Sequence, residues 1–228
     1  MVLNLPVYEN VVKLEIIKLL VEDLKIPVQQ GYLMSRDRLG IPLRTFLIDQ
    51  LRSKEKEVFL LDFRGVDEMT TSVAEELGPH LVENFLSIFY ESKANNNSLF
   101  IIYCNLSKEV RNGLDTAMKT WPSKINSTRK IVAVGFNQDG TNTSIDFFVI
   151  GELPEALRET ILQIYKLDEV KSSELDKLGI KASSRKLSEL MEDYPWLVRQ
   201  EKQRLSGTSK AWSYVYKPII KIVRNVAI

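Results

Sequence analysis

Apolar residues follow two rhythms along this chain. From Tyr8 to Leu24, Val11, Val12, Leu14, Ile16, Ile17, Leu19, Leu20 and Leu24 recur at mixed three- and four-residue spacings. This predicts a helix with a broad apolar face, closed by Pro27. Val28 to Met34 reads as a short strand. Leu43, Phe46, Leu47 and Leu51 predict a second helix whose first turn suits Pro42. Glu57 to Phe63 is a nearly unbroken apolar run, as expected of a strand buried on both faces. Val73, Leu77, Leu81, Phe85 and Phe89 then mark every fourth position of a long helix starting at Ser72, widened by Val82 and Leu86. After the turn Asn95–Ser98, Leu99 to Cys104 gives another buried strand and Ser107 to Met118 a further helix. Lys130 to Phe136 and Ile145 to Ile150 read as strands around the polar turn Asn137–Thr143. Strands alternating with helices predict an α/β domain, a sheet covered by helices, over residues 1–150.

Gly151 to Pro154 is the expected domain boundary, and residues 151–228 have a different rhythm. Leu157, Ile161 and Ile164 suit a helix. Ser173 is placed to cap a short second helix ending at Gly179, and Ser183 to cap a third with Leu187, Leu190 and Met191 inward. Trp196 to Val198 opens a strand, Ser206-Gly207 offers a hairpin turn, and Trp212 to Tyr216 alternates like a returning strand. Three helices and a β-hairpin wing make a winged helix-turn-helix. Pro218 ends the wing, and Ile219, Ile222, Val223 and Val226 mark a last amphipathic stretch.

Charge sharpens this division. The chain carries net charge +1 over 228 residues, but Lys181 to Ile228 holds ten Lys/Arg against four acids, leaving −5 for residues 1–180. A basic module beside an acidic one points to a polyanion partner. In a winged helix the second helix of the pair enters the major groove with its N-terminal residues against base edges. Ser183 or Ser184 is expected to meet phosphate there, and Arg185 guanine O6 and N7, with Lys186 beside them. Arg199, Lys202, Arg204 and Lys210 would track the backbone from the wing. Four to six such contacts imply a log–log salt slope of about −4 to −5 per protomer. The competing reading is a solvated surface on a winged helix used for protein contacts. Trp212, Tyr214 and Tyr216 read as cross-strand packing in the hairpin.

Other chemistries find little footing. No apolar run approaches the roughly 20 residues of a membrane helix, and the first residues do not read as a signal peptide. A cytoplasmic protein without cofactor or metal is expected. The single cysteine, Cys104, excludes disulfide and Cys-cluster zinc chemistry and reads as a core thiol. The only histidine, His80, lies eight residues beyond Ser72, about 12 Å along a helix and out of hydrogen-bond reach. Asp37, Asp62 and Asp67 sit in or near loops, as acids commonly do without any metal. No catalytic residue is assigned.

Two resemblances carry these readings further. Ser173 to Leu190, with its Gly179-Ile180 turn, serine-rich helix start and Leu187-x-x-Leu190 core, followed by Trp196-Leu197-Val198-Arg199, is similar to bacterial winged helix-turn-helix regulators. That likeness implies double-stranded DNA as partner, and most such readers bind as twofold homodimers. Val58 to Ser72, with Leu61-Asp62-Phe63-x-Gly65-Val66, Ala74-Glu75-Glu76-Leu77 and Ser35 to Gly40, resembles the bacterial STAS-like family related to anti-sigma factor antagonists. In the antagonists a partner kinase phosphorylates a serine at the helix start. Ser72 matches that position, with Thr70 and Thr71 beside it, although Thr70 and Val73 stand where the antagonists have Asp and Gly. A phosphate there would meet free N–H groups and the positive end of the helix dipole. The alternative is that Ser72 and Glu75 form a capping box and nothing more. Arg36, Arg38 and Arg64 are a candidate anion set or simply solvated. The combined expectation is a DNA-binding transcriptional regulator with a STAS-like sensing or partner-binding domain. The alternative is an interaction adaptor switched near Ser72 by a Ser/Thr kinase or ATPase.

Overall fold

The computed structural model describes residues 11–53, 58–94, 99–122, 130–138, 145–167, 169–204 and 212–219. The chain divides into two compact units, the first ending at Glu152 and the second running from Leu153 to Val223.

The first unit is built on a five-stranded sheet. Its strands are β1 (Val11–Glu15), β3 (Val58–Asp62), β5 (Phe100–Cys104), β6 (Val132–Gln138) and β7 (Ile145–Gly151), adjacent in that order. The first four are parallel and β7 is antiparallel to β6. Parallel neighbours need crossover connections, and helices supply them: α2 (Ile41–Ser53) before β3, the long helix from Thr71 before β5, and α5 (Lys108–Thr120) before β6. This is a mixed α/β fold with a mainly parallel central sheet flanked by helices. Every residue of β3 and of β5 is buried, which is why both read as apolar runs, broken only by Asp62 at the end of β3.

The expected helix over residues 8–24 is partly wrong. Val11–Glu15 is an edge strand, with Leu14 buried and Lys13 and Glu15 exposed. The period-two alternation there was masked by the apolar residues that follow, which do turn helical: α1 (Ile16–Lys18) runs into a π-helical turn, Leu19–Asp23. Pairing with β3 decides the strand. Tyr8 lies outside the described residues.

The long helix consists of α3 (Thr71–Glu75), a π-helical turn at Glu76–His80 and α4 (Leu81–Ala94). Pro79 explains the wide turn. Proline has no N–H and its ring collides with the carbonyl four residues back, so the helix relaxes to a five-residue step. Leu81 N–H accordingly donates to the Glu76 carbonyl. The expected stripe, from Val73 to Phe89, is buried throughout. A two-stranded parallel ladder, β2 (Tyr32–Leu33) with β4 (Glu68–Met69), ties the segment before α2 to the loop after β3.

Gly135 in β6 shows how tightly the last hairpin packs. A Cβ there would lie 2.5 Å from the Phe148 ring of β7, which the Arg111 guanidinium caps at 3.8 Å from the ring centroid.

The second unit holds α6 (Glu155–Leu167), α7 (Ser172–Lys177), α8 (Ser183–Asp193) and an antiparallel hairpin of β8 (Arg199–Arg204) and β9 (Trp212–Lys217). Its core gathers Leu157, Ile161, Ile164, Leu175, Leu187, Leu190 and Val215. Trp196, Leu197 and Val198 are buried but precede the strand, which begins at Arg199. The turns expected at Asn95–Ser98 and Ser206-Gly207, and residues 220–228, lie outside the described residues, as does most of Asn137–Thr143. Asn137 itself belongs to β6. Among the described residues no helix is long and apolar enough to cross a membrane.

Candidate nucleic-acid interface and partner loop

The start of α8 is set by the connection from α7. Gly179 takes φ +87° and Ala182 φ 55°, two left-handed residues that turn the chain sharply. Between them Ile180 is buried, and its N–H donates to the Leu175 carbonyl at 3.0 Å. Glu174 closes the N-terminus of α7, accepting the Lys171 N–H at 2.7 Å, so Ser173 is not the cap.

Ser183 does not belong to the exposed set. It is the first residue of α8 and fully buried. Its Oγ donates to the Ser172 carbonyl at 2.8 Å, and its N–H donates to Asp176 Oδ1 at 3.4 Å. It pins α8 to α7 and has no lone pair facing solvent for a phosphate. The residue before the helix, Ala182, occupies the cap position instead. Ser184 and Arg185 are exposed and Lys186 is half-buried, while Leu187 and Leu190 point inward. Exposed Lys181, which sequence reasoning left out of the site, precedes them. The outward face is thus basic at its start and acidic towards Glu192.

On the hairpin, Lys202 is exposed and pairs in register with Tyr214, which is 50% exposed. Tyr216, two residues on, is buried, and its hydroxyl accepts from Gln200 Nε2 at 3.1 Å. The two tyrosines therefore differ: Tyr216 packs as expected, and Tyr214 presents a ring to solvent beside a lysine. Arg199 is half-buried and close enough to Tyr165 for its charge to act on that phenol. Tyr165 donates to the Leu197 carbonyl at 3.0 Å, and burial pushes its pKa up. Lys217 is tied to Glu201 at 2.6 Å and Glu169 at 3.5 Å, so its charge is neutralised locally. The hydrogen bond from Lys217 to Glu201, ahead of its burial, keeps the ammonium above its ordinary range. The Arg204 side chain and Lys210 lie outside the described residues.

In the first unit, Thr70, Thr71 and Ser72 lie at the start of the long helix. Thr70, not Ser72, is the N-cap: its Oγ1 accepts from the Val73 N–H at 3.4 Å. The expected Ser72–Glu75 capping box is therefore not formed: the cap lies two residues earlier, and Val73 at the third helical position has no polar side chain to reciprocate. Thr71 is exposed, and Ser72 is partly exposed with its Oγ 3.2 Å from Thr70 Oγ1. The following helix is anchored to the same loop, because the N-cap Ser107 of α5 donates its Oγ proton to the Asp67 carbonyl at 2.7 Å.

Arg36, Arg38 and Arg64 do not act alike. Arg36 Nε donates to Glu76 Oε1 at 2.7 Å, Arg44 Nη1 donates to Oε2, and the carboxylate is completely buried. Nothing in the sequence marked Glu76 as interior, since it lies on a helix rich in acids. His80 lies 3.9 Å from the same carboxylate and edge-on to Trp121. Burial holds this imidazole below its ordinary range; Glu76 opposes that, and the Arg44 and Arg36 charges reinforce it. Arg64 is exposed, and its backbone N–H serves Asp62, another buried carboxylate. Burial pushes Asp62 up, but hydrogen bonds from Lys13, Asn105 and the Arg64 N–H outweigh it and leave the group below its ordinary range. Cys104 beside it is a core thiol that burial pushes up. Among the described residues no cluster of three or more His, Cys, Asp or Glu is arranged to hold a metal. In comparisons with known proteins, no family model, curated protein or solved structure matches this chain.

Proposed function

We propose that this chain is a DNA-binding transcriptional regulator. In this reading residues 153–223 act as a winged helix, α8 is the recognition helix, and the α/β unit is a STAS-like sensing or partner-binding module. The observation that carries the reading is the polarity of α8. Its inner face is Leu187 and Leu190, and its outer face opens with Ser184 and Arg185 after Lys181, where a groove-reading helix meets bases. The antiparallel hairpin adds exposed Lys202 on the arm that would follow the phosphates. The protein would act in the cytoplasm, as a homodimer on a twofold site.

Selection of bound fragments from random duplex oligonucleotides tests this directly, followed by mobility shifts on the selected site. Arg185→Ala should weaken binding to the selected duplex. Failure to enrich any sequence, or equal affinity of wild type and Arg185→Ala, would overturn the assignment.

A second reading is an interaction adaptor in which the winged helix contacts protein. It is favoured by the exposure of Thr71 and the partial exposure of Ser72 at the start of the long helix, where a phosphate is electrostatically welcome. Incubation with a Ser/Thr kinase and ATP should add one phosphate by intact mass, lost in Ser72→Ala. A gain that survives that substitution would remove Ser72 as acceptor.

A further inference from the structure

We propose that a cleft in the α/β unit, between the segment leading into β2 and the π-helical turn Arg36–Gly40, binds a small carboxylic acid with a flat apolar body. The inference does not depend on the DNA reading. The cleft measures about 760 Å³ and is walled by Ile26, Pro27, Val28, Met34 and Leu39, with Gln29 and Gln30 on its rim. Pockets for small molecules commonly fall in this size range and pair an apolar lining with a few placed polar groups.

Three features argue that the cleft is built for a ligand. First, its apolar exposure is deliberate in pattern. Along β2 and the next residue, Leu33 is completely buried, whereas Tyr32 and Met34 are 36% and 51% exposed and both face the cleft. The core has taken its share of this strand, and the remaining apolar side chains need another partner.

Second, the rim is rigid and strained. Tyr32 N–H donates to the Gln29 carbonyl at 3.0 Å across a turn with φ 51° at Gln30 and 73° at Gly31. A non-glycine residue in the left-handed region costs of order 1 kcal/mol or more, and such residues gather at ligand sites. Lys25, just before the cleft, is left-handed too, at φ 57°. The turn is tied to the loop after β3, because Asp67 N–H donates to the Gly31 carbonyl at 3.0 Å, and the backbones approach so closely there that a Cβ on Gly31 would lie 2.5 Å from the Gly65 carbonyl oxygen. A wall fixed in advance loses little entropy on binding.

Third, one charge faces the cleft. Arg38 lines it and is exposed, and among the described residues no carboxylate lies within ion-pair distance of its guanidinium. Its neighbour Arg36 is committed to Glu76. A guanidinium recognises a carboxylate through two parallel charge-assisted hydrogen bonds. The Tyr32 ring and the apolar wall would take the flat body, and the Gln29 and Gln30 amides any polar edge.

The test uses the full chain, ¹⁵N-labelled, titrated with naphthalene-2-carboxylate and with naphthalene-2-carboxamide. The expected result is saturable amide shifts confined to residues 26–39, with the carboxylate bound at least about tenfold more tightly. Arg38→Gln, an exposed change that leaves the core intact, should abolish that preference while keeping the carboxamide affinity. The proposal is overturned if the carboxylate gives no saturable shifts there, if the two compounds bind equally to wild type, or if the preference survives in Arg38→Gln. Shifts of the Tyr32 and Met34 amides on diluting ligand-free protein would mean that a second copy covers the cleft, and would overturn it equally.

Discussion

Arg44 donates a hydrogen bond to Glu76 across thirty-two residues of sequence, closing one side of a carboxylate that no solvent reaches. Arg36 closes the other side from the preceding turn. The pair joins α2 to the π-helical turn of the long helix, so an ion pair, and not only the apolar stripe, fixes how these helices meet. A buried ion pair adds little over a well-packed apolar replacement, but removing Arg44 leaves one oxygen of a fully buried carboxylate without its partner, with Arg36 alone holding the other. Arg44→Ala should therefore destabilise the α/β unit by about 3 kcal/mol. The double change Arg44→Leu with Glu76→Leu should recover much of that loss. Urea midpoints of the three proteins check this; equal loss in the single and double variants would show that the ion pair is not the cause.

His80 gives the same cluster a pH dependence. Burial depresses its folded pKa below the unfolded value, which is about 6.5. The unfolded chain then binds the proton first as pH falls. The stability contributed by neutral His80 is complete above about pH 6.5 and is lost as pH falls through the lower folded pKa. Wild type should lose more stability between pH 7.5 and 5.0 than His80→Gln does. Parallel losses in denaturation curves of the two proteins would exclude His80 as the titrating group.

Ser183 and Ser184 should separate cleanly despite being neighbours. Ser183→Ala removes a buried hydrogen bond to the Ser172 carbonyl and should cost about 1 kcal/mol of stability. Ser184→Ala, on the exposed face, should leave the thermal midpoint unchanged and lower only the affinity for duplex. A stable Ser183→Ala protein would remove the helix-to-helix role assigned to that hydroxyl.

For DNA, Arg185 and Lys202 should behave differently. Arg185→Ala should cost about 1–3 kcal/mol on the selected site and relax sequence preference at one position. Lys202→Ala should weaken all duplexes alike and reduce the salt slope by about 1. Binding isotherms over a range of salt concentrations distinguish the two. Uniform weakening by Arg185→Ala would reassign that residue to the phosphate backbone.

Elements whose burial is total or strictly periodic are legible from residue order alone. Val58 to Leu61 and Leu99 to Cys104 could be read as doubly buried strands because no polar residue interrupts them. The helix carrying Val73 to Phe89 could be read because one face repeats every turn. The uneven spread of charge was also plain from counting. Tertiary structure decided the rest, because the deciding partners are remote in sequence. Val11 to Glu15 is a strand only because β3 lies beside it, in a stretch whose local pattern fits a helix equally well. Ser183 looks like a cap until α7 turns back over it and claims its hydroxyl. Glu76 looks like a surface acid until Arg36 and Arg44 arrive from another segment and make its burial affordable. The turn beside the Arg38 cleft likewise brings Gly31 so close to the remote Gly65 carbonyl oxygen that a Cβ would meet it at 2.5 Å. Local spacing records what a residue prefers, whereas long-range pairing decides which polar groups can leave water.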